Sequence, residues 1–405
     1  MKTPIQNKCI LLGVTGSIAA YKAAELASRL TQVGAQVDVV LTQAALQFVS
    51  PLTFQSVTGR RAYIDSDLWG NEGHVQHIGL GKGADLLLIA PVTANTLARL
   101  AHGLADNLLT VTALAATCPL MLAPAMDGGM FAHPATQANL ELLRQRGAIV
   151  VGPVEGRLAS GLSGVGRMVE PLELMGHVRL VLSRRGSLAG RKVLVTAGGT
   201  QEPIDPVRVI ANRSSGKQGF ALAQAALDLG AEVTLITGPV HLLAPVGARR
   251  VDVLTAQEMQ EAVLAALQGT DALIMASAVA DFRPAAPVRQ KIKKEGSVPE
   301  IHLEAAPDIL RSVSKHKSEK GWPRWTVGFA AETQDLLENA RTKLQAKKLD
   351  MVVANDIHDA DAGFGVDTNR VTLLFPDGRE EPLPLMSKER VAMEVMQRVA
   401  AHILI

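Results

Sequence analysis

Neither sign of charge dominates this chain: 41 lysines and arginines against 39 aspartates and glutamates leave a formal charge of +2 over 405 residues. That balance excludes a broad nucleic-acid footprint, and any basic site must be local. Cysteine is nearly absent. Cys9 and Cys118 lie far apart, each in an apolar run that reads as a buried strand, so neither a disulfide framework nor a zinc site is expected. A reducing, cytoplasmic setting fits. No run of about 18 apolar residues occurs, so no membrane-spanning segment is expected. The opening "MKTPIQNKCILLGVTGSIAAYK" has the outline of a secretory signal, but Thr15, Gly16 and Ser17 interrupt it, and strand, turn and helix is the better reading. Export is not expected.

What is present points to two cores. The length exceeds one ordinary domain, and 47% hydrophobic with 20% charged residues is a globular composition. "KCILLGVTGSIAAYKAAELASRLTQVGAQVDVVLT" combines an apolar strand, a glycine turn, Ala23, Leu26, Ala27 and Leu30 at helical spacing, and a second strand after Gly34. This is a βαβ unit. "RKVLVTAGGT", "GKQGFALAQAALDLGAEV" and "VTLIT" repeat the pattern roughly 200 residues later. The chain is therefore read as α/β, with two doubly wound, Rossmann-like domains, 1–187 and 188–405, joined near Ser187 in "SRRGSLAGRK". Further strands are expected at 85–90, 119–123, 148–152, 271–276, 326–330 and 350–354, and the "PDGRE" turn at 376–380 predicts a C-terminal hairpin.

"GVTGSIAAYK" opens a helix straight after the first strand, where free backbone N–H groups can hold a phosphate. G-x-G-x-x-G is missing, and Thr42 ends the second strand where a dinucleotide-binding fold places an acid. A phosphate-bearing mononucleotide and a tight turn without ligand both satisfy these residues, whereas an NAD(P)-dependent flavodoxin-like reductase is disfavoured. His74 and His77 stand i, i+3 with no third ligand nearby, so packed or solvated histidines outweigh a metal site. "GRLASGLSGVGRM", 156–168, reads as a mobile loop bracketed by Arg157 and Arg167 and suited to close over an anion. In the second half, "QKIKKEG" sets Lys291, Lys293 and Lys294 on a flexible, proline-flanked segment, while Lys343 and Lys347 share a helix face. Both sets suit a triphosphate; a solvated loop and an ordinary helix face account for the same charges. "SSGK" is not a Walker motif, lacking the upstream glycine and the hydroxyl residue after lysine.

"TGSIAAYK", the histidine before "IGLGKGADLLLIAPVTANT", "APAMDGGM" and "GVGRM" resemble, in order and spacing, the flavin-dependent cysteine decarboxylase family. Residues 191–356, with "VTAGGTQEPIDPVRVIANRSSGKQG", "ASAVADFRP", "KIKK", "GFAAET" and "ANDI", resemble phosphopantothenate cysteine ligase. Together they are similar, over essentially the whole chain, to the bifunctional phosphopantothenoylcysteine decarboxylase and phosphopantothenate cysteine ligase of coenzyme A synthesis. The resemblance implies a flavodoxin-like N-terminal flavoprotein domain holding FMN and a C-terminal ligase domain using CTP with Mg2+. The implied activity couples 4'-phosphopantothenate to cysteine and decarboxylates the product to 4'-phosphopantetheine. Implied partners are these small molecules and further copies of the chain, as flavin-domain trimers, ligase-domain dimers and up to a dodecamer, with no nucleic acid or membrane.

Carried onto this sequence, the family pattern puts Gly16, Ser17 and Ile18 at the FMN phosphate, Thr42 and Thr93 at neighbouring strand ends, and His77 as base. Met126, Arg167 and Met168 fall at the decarboxylase substrate. In the ligase half Asn212 matches the residue for acyl-cytidylate formation and Lys291 the lysine of a mobile flap. Asp281, Pro307, Asp308, Ile309, Leu310, Phe329, Lys343, Lys347 and again Lys291 match CTP positions, and Arg208 suits the substrate phosphate. Two positions depart from the pattern. Asp127 replaces an asparagine that helps hold the substrate carboxylate, and Ser160 replaces a cysteine that donates a proton. An ionised Asp127 repels a carboxylate, and a hydroxyl is a far weaker acid than a thiol of pKa about 8.5. The alternative reading is an active ligase whose FMN-binding N-terminal domain is a structural scaffold, impaired as a decarboxylase.

Overall fold

The computed structural model describes residues 3–69, 73–293, 300–332, 335–356 and 366–403. The chain divides into two compact units, Met1–Leu182 and Ser183–Ile405, ahead of the join expected near Ser187. In the first, β1 (Cys9–Val14), β2 (Gln36–Leu41), β3 (Ala62–Ile64), β4 (Leu86–Val92), β5 (Leu120–Pro124) and β6 (Ile149–Val150) form a parallel sheet in the order β3-β2-β1-β4-β5-β6. Without the three-residue edge strand β3 this is the flavodoxin order.

Every residue of β4 is buried because helices cover both sheet faces. Helices α1 (Ala20–Gln32), α2 (Pro51–Thr58) and α8 (Pro171–Ser183) pack around Leu26, Phe54 and Val178. On the other face α3 (Gly73–Gly83), α4 (Ala94–His102), α5 (Leu108–Ala115) and α7 (Pro134–Gln145) pack around Leu97, Leu109 and Leu140. The short α6 (Gly128–Ala132) follows β5. The glycine-rich stretch expected to be a loop is instead an antiparallel hairpin of β7 (Val154–Arg157) and β8 (Ser163–Arg167), closed at its tip by Leu158 N donating to Leu162 O. Cys118 is likewise corrected: it sits in the turn before β5, and both thiols are only half-buried.

In the second unit β9 (Lys192–Ala197), β12 (Glu232–Thr237), β13 (Arg249–Asp252), β14 (Ala272–Met275), β17 (Trp325–Glu332) and β18 (Met351–Asp356) run parallel. The antiparallel hairpin β20 (Val371–Leu374) and β21 (Glu380–Pro382) around the "PDGRE" turn completes the order β13-β12-β9-β14-β17-β18-β20-β21. Small ribbons pair β10 (Gln201–Pro203) with β11 (Val209–Ala211), β15 (Phe282–Pro284) with β16 (Leu303–Ala305), and β19 (Thr368–Asn369) with β22 (Met386–Ser387). The crossover through α9 (Lys217–Asp228) leads one way from β9, and those through α11 (Ile309–Lys320) and α12 (Leu336–Ala346) lead the other way from β14. Right-handed crossovers therefore place α9 on one sheet face and α11 and α12 on the other. With α9 packs α13 (Lys388–Ile403); with α11 packs α10 (Ala256–Ala266). Both sheets change winding direction beside their first strand, and such folds take ligands at the carboxyl ends there. No described helix is long and apolar enough to cross a membrane.

Candidate active sites in the two units

In the first unit the turns after β1, β2 and β4 are knitted together. The buried Thr15 hydroxyl donates to Pro91 O (2.8 Å) and accepts from Thr93 N (3.1 Å). A Cβ on Gly16 would fall 2.5 Å from the Ala44 Cβ, so only glycine lets the β1 and β2 turns close up. Ser17 Oγ accepts from Ala19 N (3.3 Å), while among the described residues the Gly16 and Ile18 N–H groups find no acceptor. Those donors stand at the start of α1, an arrangement that fits an anion. Thr42 Oγ1 accepts from Ala45 N (3.3 Å), and Thr93 caps α4 through Thr96 N (3.3 Å). His77, on α3, has a buried Nδ1 that finds no hydrogen-bond partner among the described residues, which a bound ligand would satisfy. The side chain of His74 lies outside what is described.

Beside this crevice the hairpin lies directly on the end of β5. Met126 N donates to Gly166 O (3.0 Å), and a Cβ on Gly166 would meet Met126 O at 2.2 Å. Asp127 caps α6, its Oδ1 accepting from Gly129 N (3.0 Å) and its Oδ2 from Ser160 Oγ (2.8 Å). The Gly129 N–H and then the Ser160 hydroxyl hold the Asp127 carboxyl below the usual carboxylate range. The two residues that depart from the family pattern are thus hydrogen-bonded to each other. Arg167 pairs with Glu170 (2.6 Å), which also takes Lys22 (2.9 Å), and the buried Lys22 ammonium donates to Met168 O (3.1 Å). The Met168 side chain is 1% exposed in the core, which leaves chiefly its backbone for a ligand. Lys22 escapes a sequence reading centred on turns; the available signal is a lysine beside Ala23 on an inward helical face.

The second unit has a cavity of about 750 Å³ at the carboxyl ends of β14, β17 and β18, into which Asn212, Asp281, Pro307, Asp308, Ile309, Leu310, Phe329, Lys343 and Lys347 all come. Asn212 Nδ2 donates to Val279 O (3.0 Å), and Lys343 Nζ to Phe329 O (2.6 Å). Asp308 caps α11 through Arg311 N (3.0 Å) and forms an ion pair with Lys347. Burial pushes the Asp308 carboxyl up, but Lys347 and the Arg311 N–H outweigh it and hold the group low. The Ile309 side chain is 3% exposed in the core beside Met259 and Val313, which leaves chiefly its backbone for a ligand.

Two expected residues stand outside this lining. Arg208 grips the buried Asp205 (2.9 Å) and donates to Ile292 O (3.3 Å), while Ile292 N donates to Asp205 (3.2 Å). The exposed Lys291 therefore rides on a segment docked to the β10–β11 turn. Burial pushes Asp205 up, but the N–H groups of Val207, Ile292 and Arg208 and the Arg208 charge keep it below its ordinary range. Lys294 lies outside the described residues. Conversely, Lys217 and Lys388 line the cavity without having been singled out. Their signal is a cation opening a helix, the wrong end for positive charge.

Residues 1–182 match the family model described as Flavoprotein, and residues 188–403 match that of the DNA/pantothenate metabolism flavoprotein C-terminal domain. The coenzyme A biosynthesis bifunctional protein CoaBC of Bacillus subtilis is 45% identical over 400 residues, covering 98% of each chain. That of Vibrio cholerae is 46% identical over 397 residues, again 98% of each, and that of Mycobacterium tuberculosis 44% over 409 residues, 98% of this chain and 97% of the other. Among solved structures, the C-terminal domain of a CoaBC protein is 39% identical over 53% of this chain and 97% of its own, with a TM-score of 0.45. A PPC decarboxylase variant complexed with pantothenoylaminoethenethiol is 38% identical over 43% of this chain and 98% of its own, with a TM-score of 0.40. Matched across both units at this identity, the chain belongs to the family of coenzyme A biosynthesis bifunctional proteins, CoaBC.

Proposed function

We propose that this bifunctional enzyme of coenzyme A biosynthesis couples 4'-phosphopantothenate to cysteine with CTP in its C-terminal unit. Its N-terminal unit then decarboxylates the product to 4'-phosphopantetheine with FMN. The observation that carries the proposal is the convergence of Asn212, Asp281, Phe329, Lys343 and Lys347 on one cavity. A carboxylate and an amine do not condense in water unless the acyl group is activated, and an acyl-cytidylate with pyrophosphate leaving supplies that activation. Lys343 and Lys347 set positive charge where the departing pyrophosphate gathers negative charge. The neutral Asn212 amide serves the reacting carboxyl group without repelling it. Asp281 and Asp308 both line the cavity, and a Mg2+ ion accompanying the triphosphate would take one or two carboxylates together with phosphate oxygens.

In the N-terminal unit Gly16, Ser17 and Ile18 would hold the FMN phosphate with Thr42 and Thr93 beside it, and His77, whose buried Nδ1 has no hydrogen-bond partner among the described residues, would be the base that takes a proton. Bound FMN supplies the oxidation at CH2–SH that gives the electrons left by departing CO2 a sulfur sink, and returns the electrons afterwards. The hairpin carrying Ser160 lies over Met126 and sets Ser160 beside Asp127. The test is incubation of purified protein with 4'-phosphopantothenate, cysteine and CTP, with products identified by mass spectrometry. 4'-Phosphopantetheine is expected from a yellow protein that releases FMN on denaturation. Arrest at phosphopantothenoylcysteine would restore the scaffold alternative, and absence of ligation would overturn the C-terminal assignment.

A further inference from the structure

The ligase cavity carries a second pair of cations with no task in the scheme above. Lys388 opens α13 and Lys217 opens α9, two helices packed on each other, and both lysines line the cavity. They enter from the sheet face opposite α12, which brings Lys343 and the adjoining Lys347. Lys388 is 6% exposed; its ammonium donates to Val366 O and, among the described residues, forms no ion pair. Lys217 pairs with Asp367 at 2.6 Å, an aspartate that is 83% exposed.

A buried cation held by one neutral carbonyl is costly unless an anion answers it. Burial first, and then the Lys217 charge, pushes the Lys388 ammonium below its ordinary range, against a partial offset from Asp367 and Glu389. Position compounds the cost. The first turn of a helix carries the positive end of its dipole, where lysine is disfavoured and an anion favoured. Here two helix starts and two lysines share one cavity wall, which matches a multiply charged anion and no neutral group.

We propose that Lys388 and Lys217 form a phosphate subsite of the ligase cavity, on the sheet face opposite Lys343 and Lys347. The subsite rests on the ligation proposed above, which brings two phosphate carriers to this cavity, the monoester of the acid substrate and the triphosphate of the nucleotide. One of them places its phosphate between the two lysines.

The test compares the full chain with Lys388→Met and with Lys217→Met, the latter changing a side chain 38% exposed. Ligation is followed by pyrophosphate release, varying 4'-phosphopantothenate and CTP in turn. One KM should rise about tenfold or more, the size of a lost charge-assisted contact, while the other stays within about twofold. If the monoester occupies the subsite, selectivity for 4'-phosphopantothenate over unphosphorylated pantothenate should fall by the same factor. If the triphosphate does, the KM for CTP rises and inhibition by added pyrophosphate weakens. Lys388→Arg, which keeps the charge, should recover part of the loss. Unchanged KM values in folded Lys388→Met would overturn the proposal; should that variant not fold, unchanged values in Lys217→Met overturn it instead. If the unaltered chain does not ligate, the functional assignment fails separately. Inorganic pyrophosphate should then still raise the melting temperature of the unaltered chain more than that of Lys217→Met, and equal shifts would overturn the subsite.

Discussion

A serine hydroxyl has one proton to donate, and in this chain Ser160 gives it to Asp127. That bond decides what either residue offers a substrate. Asp127→Asn alone removes the repelling charge but leaves no thiol to protonate the product, and Ser160→Cys alone sets a thiol beside a carboxylate that raises its pKa. Only the double change supplies a neutral amide and an acid together. Its rate of CO2 release is expected to exceed that of the unaltered chain by about tenfold or more, with the single changes failing to multiply because the residues touch. Rates for the four proteins check this, and a double variant no faster than the unaltered chain would refute it. Both departures were legible as residues out of pattern. Their partnership was not, since 33 positions separate them and they meet through the seating of the hairpin on the end of β5. The burial of the Met168 side chain was not legible for a related reason: its place beside Arg167 says nothing about which side of the strand end faces the core.

Elements with a continuous apolar run or a helical period were legible. The parallel strands expected at 85–90, 119–123, 148–152, 271–276, 326–330 and 350–354 all form, as β4, β5, β6, β14, β17 and β18. The β7–β8 hairpin was not legible because Gly156, Gly164 and Gly166 carry no side chains to show an alternation. The β10–β11 ribbon is too short to show one, yet its turn carries Asp205 and holds the segment with Lys291. In this arrangement Lys291 stands outside the cavity lining, next to the docked Ile292. Asp205→Asn should loosen the docking, seen as faster limited proteolysis within 285–293 and an altered ligation rate at neutral pH. The acid dependence follows in sign. The folded carboxyl titrates below the unfolded value of about 3.9, so the docking contributes fully above about pH 4 and is lost as pH falls through the folded value. An acid titration followed by circular dichroism should show that component missing from Asp205→Asn; identical titrations would refute it.

At the scale of the whole chain, the repeat of one βαβ pattern announced two doubly wound units, and each unit has its own core clusters. The cavity wall was less legible, because 171 positions separate Lys217 from Lys388 and they meet only once α13 has packed on α9. The scarcity of sulfur has a consequence for the chain's chemical hardiness. Cys9 and Cys118 are its two thiols, both half-buried, and burial foremost pushes the Cys118 thiol up, which keeps its reactive thiolate scarce. Iodoacetamide applied to the folded protein and then removed should leave ligation and decarboxylation within about twofold of their starting rates, with peptide mass spectrometry showing little alkylation. Rapid inactivation would refute this. An electrophile aimed at a clamp cysteine finds a hydroxyl at Ser160, so this chain is built to tolerate a class of poison to which a thiol at that position is open.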